Sequence, residues 1–135
     1  MQVLKHETIL IREEAGVVEA RQHARMLVRE LGLGMTDQTK TVTAVSEIAR
    51  NTLIYGGGGT ATFEIVQDAA RKCLRMTFHD SGPGIADLDK ALTDGFTTGC
   101  GMGLGLGGAK RLVDDFELHS RPGEGTRVVL TKWKR

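Results

Sequence analysis

Two long segments near the N-terminus carry apolar residues at helical spacing. The first ends before Gly32 and Gly34, and its apolar face within Ala15 to Leu31 comprises Val17, Ala20, Ala24, Leu27, Val28 and Leu31. The second begins with Thr36 as its N-cap and runs to about Tyr55, with apolar positions at Val42, Val45, Ile48, Ala49 and Leu53. The pattern predicts two amphipathic helices.

Shorter segments with β-branched residues or alternating polarity predict five strands. They are His6 to Arg12, Thr60 to Gln67, Cys73 to His79, Phe116 to Ser120 and Thr126 to Trp133. Turns at 68–72 and 121–125 join the second strand to the third and the fourth to the fifth, which predicts two antiparallel hairpins. Leu88 to Leu92 and Gly105 to Asp115 are predicted as a short and a longer helix.

The order of these elements predicts a single domain. No linker or repeat divides residues 1–135. We therefore expect an α+β fold, a two-layer α/β sandwich with a mixed, mostly antiparallel sheet and helices on one face.

Composition narrows the classes of function. The net charge is +1, and no apolar run approaches the roughly 20 residues of a membrane span, so we expect neither nucleic acid nor membrane as a partner. Cys73 and Cys100 lack metal-site spacing and suit a reducing compartment, so we expect the cytoplasm. Glycine makes up 18 of 135 residues and is concentrated at 56–59 and 99–108, which predicts loops with unusual backbone needs.

Glu47 and Asn51 lie one turn apart on the second helix and so share a face. If they face a cleft, the carboxylate can accept a proton from an attacking hydroxyl. The amide oxygen can bind Mg²⁺ while nucleotide phosphates and water complete the coordination. The alternative is an ordinary polar pair on a solvated helix.

Asp80 ends an apolar strand and is followed by the loop Ser-Gly82-Pro-Gly84. A buried carboxylate needs a donor, and the exocyclic amine of adenine is one such group. Gly82 and Gly84 would let a flat base approach the backbone closely. The alternative is a tight turn started by the aspartate.

The glycine-rich run from Gly101 to Gly108 precedes a helix. It follows a loop rather than a strand, which argues against a dinucleotide fingerprint, and Ala109 before Lys110 rules out a P-loop. What remains is a flexible loop that enters a helix N-terminus, where free N–H groups favour phosphate. Leu104 and Leu106 would anchor the loop, and the alternative is a hinge.

Taken in order, these segments resemble the GHKL ATPase superfamily, whose fold is that of the gyrase, Hsp90 and histidine-kinase ATP domains (the Bergerat fold). Glu47 and Asn51 match its N box, Asp80-x-Gly82-x-Gly84 its G1 box, and Gly101-x-Gly103-x-Gly105 its G2 box. The last box is matched by Gly125 and Thr126.

The resemblance implies a role for each matched residue. Glu47 would be the general base or would position a water molecule, Asn51 would be the Mg²⁺ ligand, and Asp80 would bind the adenine amine. Thr126 would complete the base site. The remaining nucleotide-binding residues implied are Gly82, Gly84, Ile85, Phe96, Gly101, Gly103, Leu104, Gly105 and Leu106.

Further segments are similar to the serine/threonine switch kinases of bacterial stressosome and partner-switching modules. They are 46–51, 94–98, 110–116 and 132–135. The similarity implies an ATP- and Mg²⁺-dependent kinase that phosphorylates a STAS-domain antagonist and can activate a PP2C-type phosphatase by binding it. An anti-sigma binding module of the same superfamily is the alternative. A detached histidine-kinase ATP domain is disfavoured because the chain has no dimerisation helix pair.

Overall fold

A computed structural model of the chain describes residues 1–85 and 106–134. This part contains three helices and five strands. The helices are α1 (Glu14–Glu30), α2 (Met35–Ile54) and α3 (Leu106–Leu112). The strands are β1 (Gln2–Ile11), β2 (Gly59–Asp68), β3 (Arg71–Asp80), β4 (Asp115–Ser120) and β5 (Thr126–Trp133).

The five strands form one sheet in the order β1-β2-β3-β5-β4. The expected mixed sheet is corrected here, since all four pairings of the described strands are antiparallel. Both predicted hairpins are present. The last strand, β5, lies inside the sheet between β3 and β4, which brings Thr126 directly opposite Asp80.

The core lies between the helices and one face of the sheet, which confirms the predicted α+β sandwich. Phe63, Phe78 and Leu130 point from the sheet into this layer and are at most 1% exposed. The helices contribute fully buried residues that include Val17, Val28, Val45 and Ile48. The other face of the sheet carries polar pairs, among them the Thr8 and Thr62 hydroxyls at 3.2 Å.

Several element boundaries differ from the sequence-based expectation, most by one or two residues, and three of them are notable. β1 begins at Gln2 rather than His6. The sequence did not predict this start, because the first seven residues of the edge strand are exposed and show no apolar alternation. α2 begins at Met35 with Gly34 in the N-cap position and no side-chain cap, so the prediction of Thr36 as N-cap was wrong. The predicted helix Leu88 to Leu92 lies outside the described residues.

The third boundary is the end of α3, at Leu112 rather than Asp115. The Asp114 backbone N–H donates to the Thr131 carbonyl at 3.0 Å, and its carboxylate accepts the Trp133 N–H at 2.7 Å. Both bonds join the chain to β5, so it leaves the helix to begin β4.

A buried ion pair ties α2 to the sheet. Lys132 on β5 is 3% exposed, and its Nζ lies 3.0 Å from Asp37 Oδ1 at the start of α2 and 4.0 Å from Asp114 Oδ1. The pair fixes the helix that carries Glu47 and Asn51. Within residues 1–85 and 106–134, no helix has both the length and the apolar character needed to cross a membrane.

Candidate active site

A small cavity opens between α2, the adjoining ends of β3 and β5, and the start of α3. Its volume is about 20 Å³, enough for about one water molecule. Five of the residues predicted for the nucleotide site line it: Asn51, Asp80, Ile85, Leu106 and Thr126. Sequence reasoning missed the other five: Ile48, Thr52, Tyr55, Phe78 and Val128.

Asp80 is the polar centre of this cavity. It is the last residue of β3 and is 6% exposed. One carboxylate oxygen accepts the Gly82 N–H at 2.9 Å, and the Thr126 N–H also donates to the carboxylate. Burial raises the pKa of Asp80, and these two N–H groups and the nearby His79 partly oppose the rise. Among the described residues, no lysine or arginine forms an ion pair with it.

Two glycines bring the backbone against the Asp80 side chain. A Cβ at Gly56 would lie 2.6 Å from the Asp80 Cβ, and a Cβ at Gly82 would lie 2.7 Å from the Gly56 Cα. Both segments therefore need glycine for this close approach. Gly84 has a positive φ of 76° and packs against the Arg121 carbonyl, so a side chain there would be strained and would collide.

The loop after Asp80 is held from two sides. The Tyr55 hydroxyl at the end of α2 donates to the Gly84 carbonyl at 3.1 Å. From the other side, the Gly123 N–H donates to the Pro83 carbonyl at 2.7 Å. The sequence signal for Tyr55 was its place as the only tyrosine of the chain, directly before the glycine cluster.

Ser120 is a second hydroxyl that sequence reasoning missed. Its Oγ accepts the Ile85 N–H at 2.8 Å and donates to the Gly125 carbonyl at 2.9 Å. It also lies 2.8 Å from Thr126 Oγ1. The end of the Asp80 loop and the β4–β5 hairpin thus meet at one oxygen atom.

The structure separates the two residues predicted on α2. Asn51 is half-buried and lines the cavity, whereas Glu47, one turn earlier, is exposed and does not. Between them on the helix, Arg50 forms an ion pair of 3.2 Å with Glu14 at the start of α1. A metal ion bound by the Asn51 amide oxygen would therefore lie beside the cavity, and Glu47 would face the protein surface.

The remaining predicted residues of the glycine-rich loop cannot be placed. Phe96, Gly101, Gly103, Leu104 and Gly105 lie outside the described residues. Leu106 is the first residue of α3 and is 2% exposed against the cavity.

A family profile described as "Histidine kinase-, DNA gyrase B-, and HSP90-like ATPase" matches residues 36–135. The chain belongs to this family. The matched region includes α2, the Asp80 loop and Thr126, so the residues around the cavity lie in its ATP-binding domain. The GHKL resemblance noted from the sequence is thereby confirmed.

Individual members of the family support a narrower comparison. The chain is 46% identical over 127 residues to the Bacillus subtilis serine/threonine-protein kinase RsbT, covering 94% of this chain and 96% of that protein. It is 31% identical to an anti-sigma F factor of Bacillus cereus, covering 84% and 82%. A crystal structure of the RsbU and RsbW domains of a Mycobacterium tuberculosis protein has the same fold, with a TM-score of 0.64 at 21% identity; the match covers 100% of this chain and 33% of that one.

Proposed function

We propose that this protein is an ATP-dependent serine/threonine-protein kinase of a bacterial partner-switching system. The observation that carries the proposal is the meeting of Asn51, Asp80 and Thr126 at one cavity, in a chain that is 46% identical to a serine/threonine-protein kinase. Its substrate would be a serine or threonine of a STAS-domain antagonist. In the released state it would also bind a PP2C-type phosphatase, and both reactions would take place in the cytoplasm.

Adenine would bind at Asp80. A buried carboxylate that receives only backbone N–H donors keeps acceptor capacity for the amine of the base. The closely packed glycines at 56 and 82 leave backbone rather than side chains around it.

Mg²⁺ would be bound by the Asn51 amide oxygen together with the phosphates of ATP. The donor set fits this ion, since Mg²⁺ prefers oxygen ligands and commonly takes only one or two from the protein. When bound, the ion neutralises charge on the transferred phosphoryl group.

Glu47 would act on the acceptor hydroxyl. Its exposed position on α2, one turn from Asn51, suits a base that must reach a hydroxyl presented by another protein. Positioning and charge neutralisation dominate phosphoryl transfer, so the carboxylate would act mainly by orienting the acceptor hydroxyl.

Titration calorimetry with Mg·ATP tests the nucleotide site. We expect the wild type to bind and Asp80→Asn to bind about 10- to 150-fold more weakly, because a charged acceptor for the amine is lost. Asp68→Asn is the matched control, since Asp68 is exposed at the far end of β2. Equal affinities for the Asp80 variant and the wild type would refute adenine recognition by Asp80.

Intact-mass measurement of phosphate transfer to a STAS-domain protein tests the reaction. Glu47→Gln should keep ATP affinity and lose transfer, whereas Glu19→Gln, an exposed change on α1, should retain both. Transfer by Glu47→Gln at the wild-type rate would exclude Glu47 as the base.

The alternative function is an anti-sigma binding module, and the 31% identity to an anti-sigma F factor favours it. Under that alternative, the chain captures a sigma factor in a stoichiometric complex. Capture of a sigma factor by a wild-type protein that transfers no phosphate to any STAS-domain protein would replace the kinase proposal.

A further inference from the structure

The hydroxyls of Ser120 and Thr126 meet at the cavity wall, and hydrogen-bond chemistry decides which of them donates. The Gly125 carbonyl, 2.9 Å from Ser120 Oγ, can only accept, so it takes the single hydroxyl hydrogen of Ser120. The Ile85 amide, 2.8 Å away, can only donate. The 2.8 Å contact between the two hydroxyls is therefore made by the hydrogen of Thr126.

This assignment fixes what Thr126 offers to a ligand. With its hydrogen directed to Ser120, Thr126 Oγ1 has only lone pairs left to present to the cavity that it lines. The neighbouring Asp80 carboxylate also presents acceptors. The polar side of the cavity formed by these two side chains thus accepts hydrogen bonds and does not donate them.

We propose that Ser120 is a positioning residue that sets the base selectivity of the nucleotide site. Because Ser120 accepts the Thr126 hydrogen, the pocket presents only acceptors to the base. A 6-amino purine can donate to these acceptors, whereas the carbonyl oxygen of a 6-oxo purine would be repelled by their lone pairs. Ser120 acts through Thr126 and does not itself line the cavity. The inference rests on the proposed function, in which this cavity binds ATP.

The same oxygen has a second effect. Through the Ile85 N–H it holds the end of the loop that begins at Asp80. Loss of the Ser120 hydroxyl would leave the buried Ile85 amide without this acceptor and would let the Thr126 hydroxyl rotate toward the cavity as a donor. Affinity and selectivity should therefore change together.

The test compares the dissociation constants of ATP and of inosine triphosphate, which differ in the base alone. We expect Ser120→Ala to weaken ATP binding about tenfold and to lower the ratio of the inosine to the adenine constant by a similar factor. Ser120→Thr keeps the hydroxyl and should restore both values. Thr62→Val is the control, because it removes one member of a hydroxyl pair on the opposite face of the sheet.

Thr126→Val separates the two effects. It leaves Ser120 bonded to Ile85 and Gly125, so the loop stays held, and it should lower the ratio because the acceptor at Thr126 is lost. An unchanged ratio of the two dissociation constants in both Ser120→Ala and Thr126→Val would overturn the inference. If Ser120→Ala does not fold, an unchanged ratio in Thr126→Val alone would overturn it. Failure of the wild type to bind either nucleotide would instead refute the proposed function.

Discussion

Two buried charged residues lie at opposite ends of the neighbouring strands β3 and β5, and they differ in the groups that compensate their charge. Lys132 is 3% exposed and is paired with Asp37 at 3.0 Å. Asp80 is 6% exposed and receives backbone N–H donors, without an ion pair to any described lysine or arginine. The charge of Lys132 is thus balanced by a carboxylate within the fold, whereas the Asp80 carboxylate has no such counter-charge among the described residues.

The difference separates the structural role of Lys132 from the ligand-binding role proposed for Asp80. A buried ammonium that lies beside two carboxylates links the elements that carry them, and removing it takes away their counter-charge. Burial raises the pKa of Asp80 although its backbone donors partly oppose the rise, so the ionised form is costly to the protein without a ligand. A site that violates local stability rules in this way is where function is expected.

Lys132→Met should produce the largest effect on stability. It removes the buried ammonium that balances the charge of the partly buried carboxylates of Asp37 and Asp114, so we expect a loss of about 3 kcal/mol in the free energy of unfolding, measured by urea titration. Lys5→Met is the control, since Lys5 and Glu30 form an exposed pair of 2.7 Å whose loss should cost less than about 1 kcal/mol. Equal losses for the two variants would remove the distinction between buried and exposed pairs.

Asp80→Asn should raise the stability of the nucleotide-free protein near neutral pH, although it weakens ATP binding. Burial raises the pKa of Asp80 in the fold above the ordinary value of an aspartate, which it has in the unfolded chain, so the folded state keeps the proton to higher pH than the unfolded state does. The wild type therefore loses stability as pH rises from about that value through the folded pKa, and the asparagine variant lacks this loss.

Urea titrations of both proteins between pH 4 and 7 measure this difference. The stability of the variant relative to the wild type should grow with pH and then level off. Asp68→Asn, at an exposed site, should follow the wild type throughout. Parallel curves for Asp80→Asn and the wild type would contradict the account of the buried carboxylate.

Tyr55→Phe should have the smallest effect of the three. It removes the bond to the Gly84 carbonyl, so we expect a loss of about 1 kcal/mol in stability and a few-fold weaker binding of ATP, measured by the same two methods. A variant with wild-type affinity would show that the Asp80 loop is held well enough by the Pro83 carbonyl and Ser120 alone.

The fold was largely predictable because its core elements repeat apolar residues at regular spacing. The helices α1 and α2 and both hairpins follow from that spacing. The start of β1 could not be predicted in this way, because the residues from Gln2 to Thr8 are exposed and show no alternation of apolar and polar residues. The insertion of β5 between β3 and β4 also has no local signal, since it depends on which strand edges remain open after the hairpins form.

The sequence motifs predicted which residues would lie together at the candidate site. Asp80, Asn51 and Thr126 were expected together and lie around one cavity. Tyr55 and Ser120 were not expected, because their bonds to the Asp80 loop join residues 29 and 35 positions apart in the chain. A hydroxyl that bonds to a residue so far away in the chain produces no recognisable spacing pattern in the sequence.

The position of β5 also sets when the site can appear during synthesis. Asp80 emerges first, but the strand that supplies Thr126 and closes the sheet beside it emerges roughly 2 to 9 s later at 5–20 residues per second. Until then the edge of β3 is open and the base pocket lacks a wall. The nascent chain therefore lacks the Thr126 side of the cavity until β5 has been translated, and under the proposed function a chain truncated before β5 would not bind ATP.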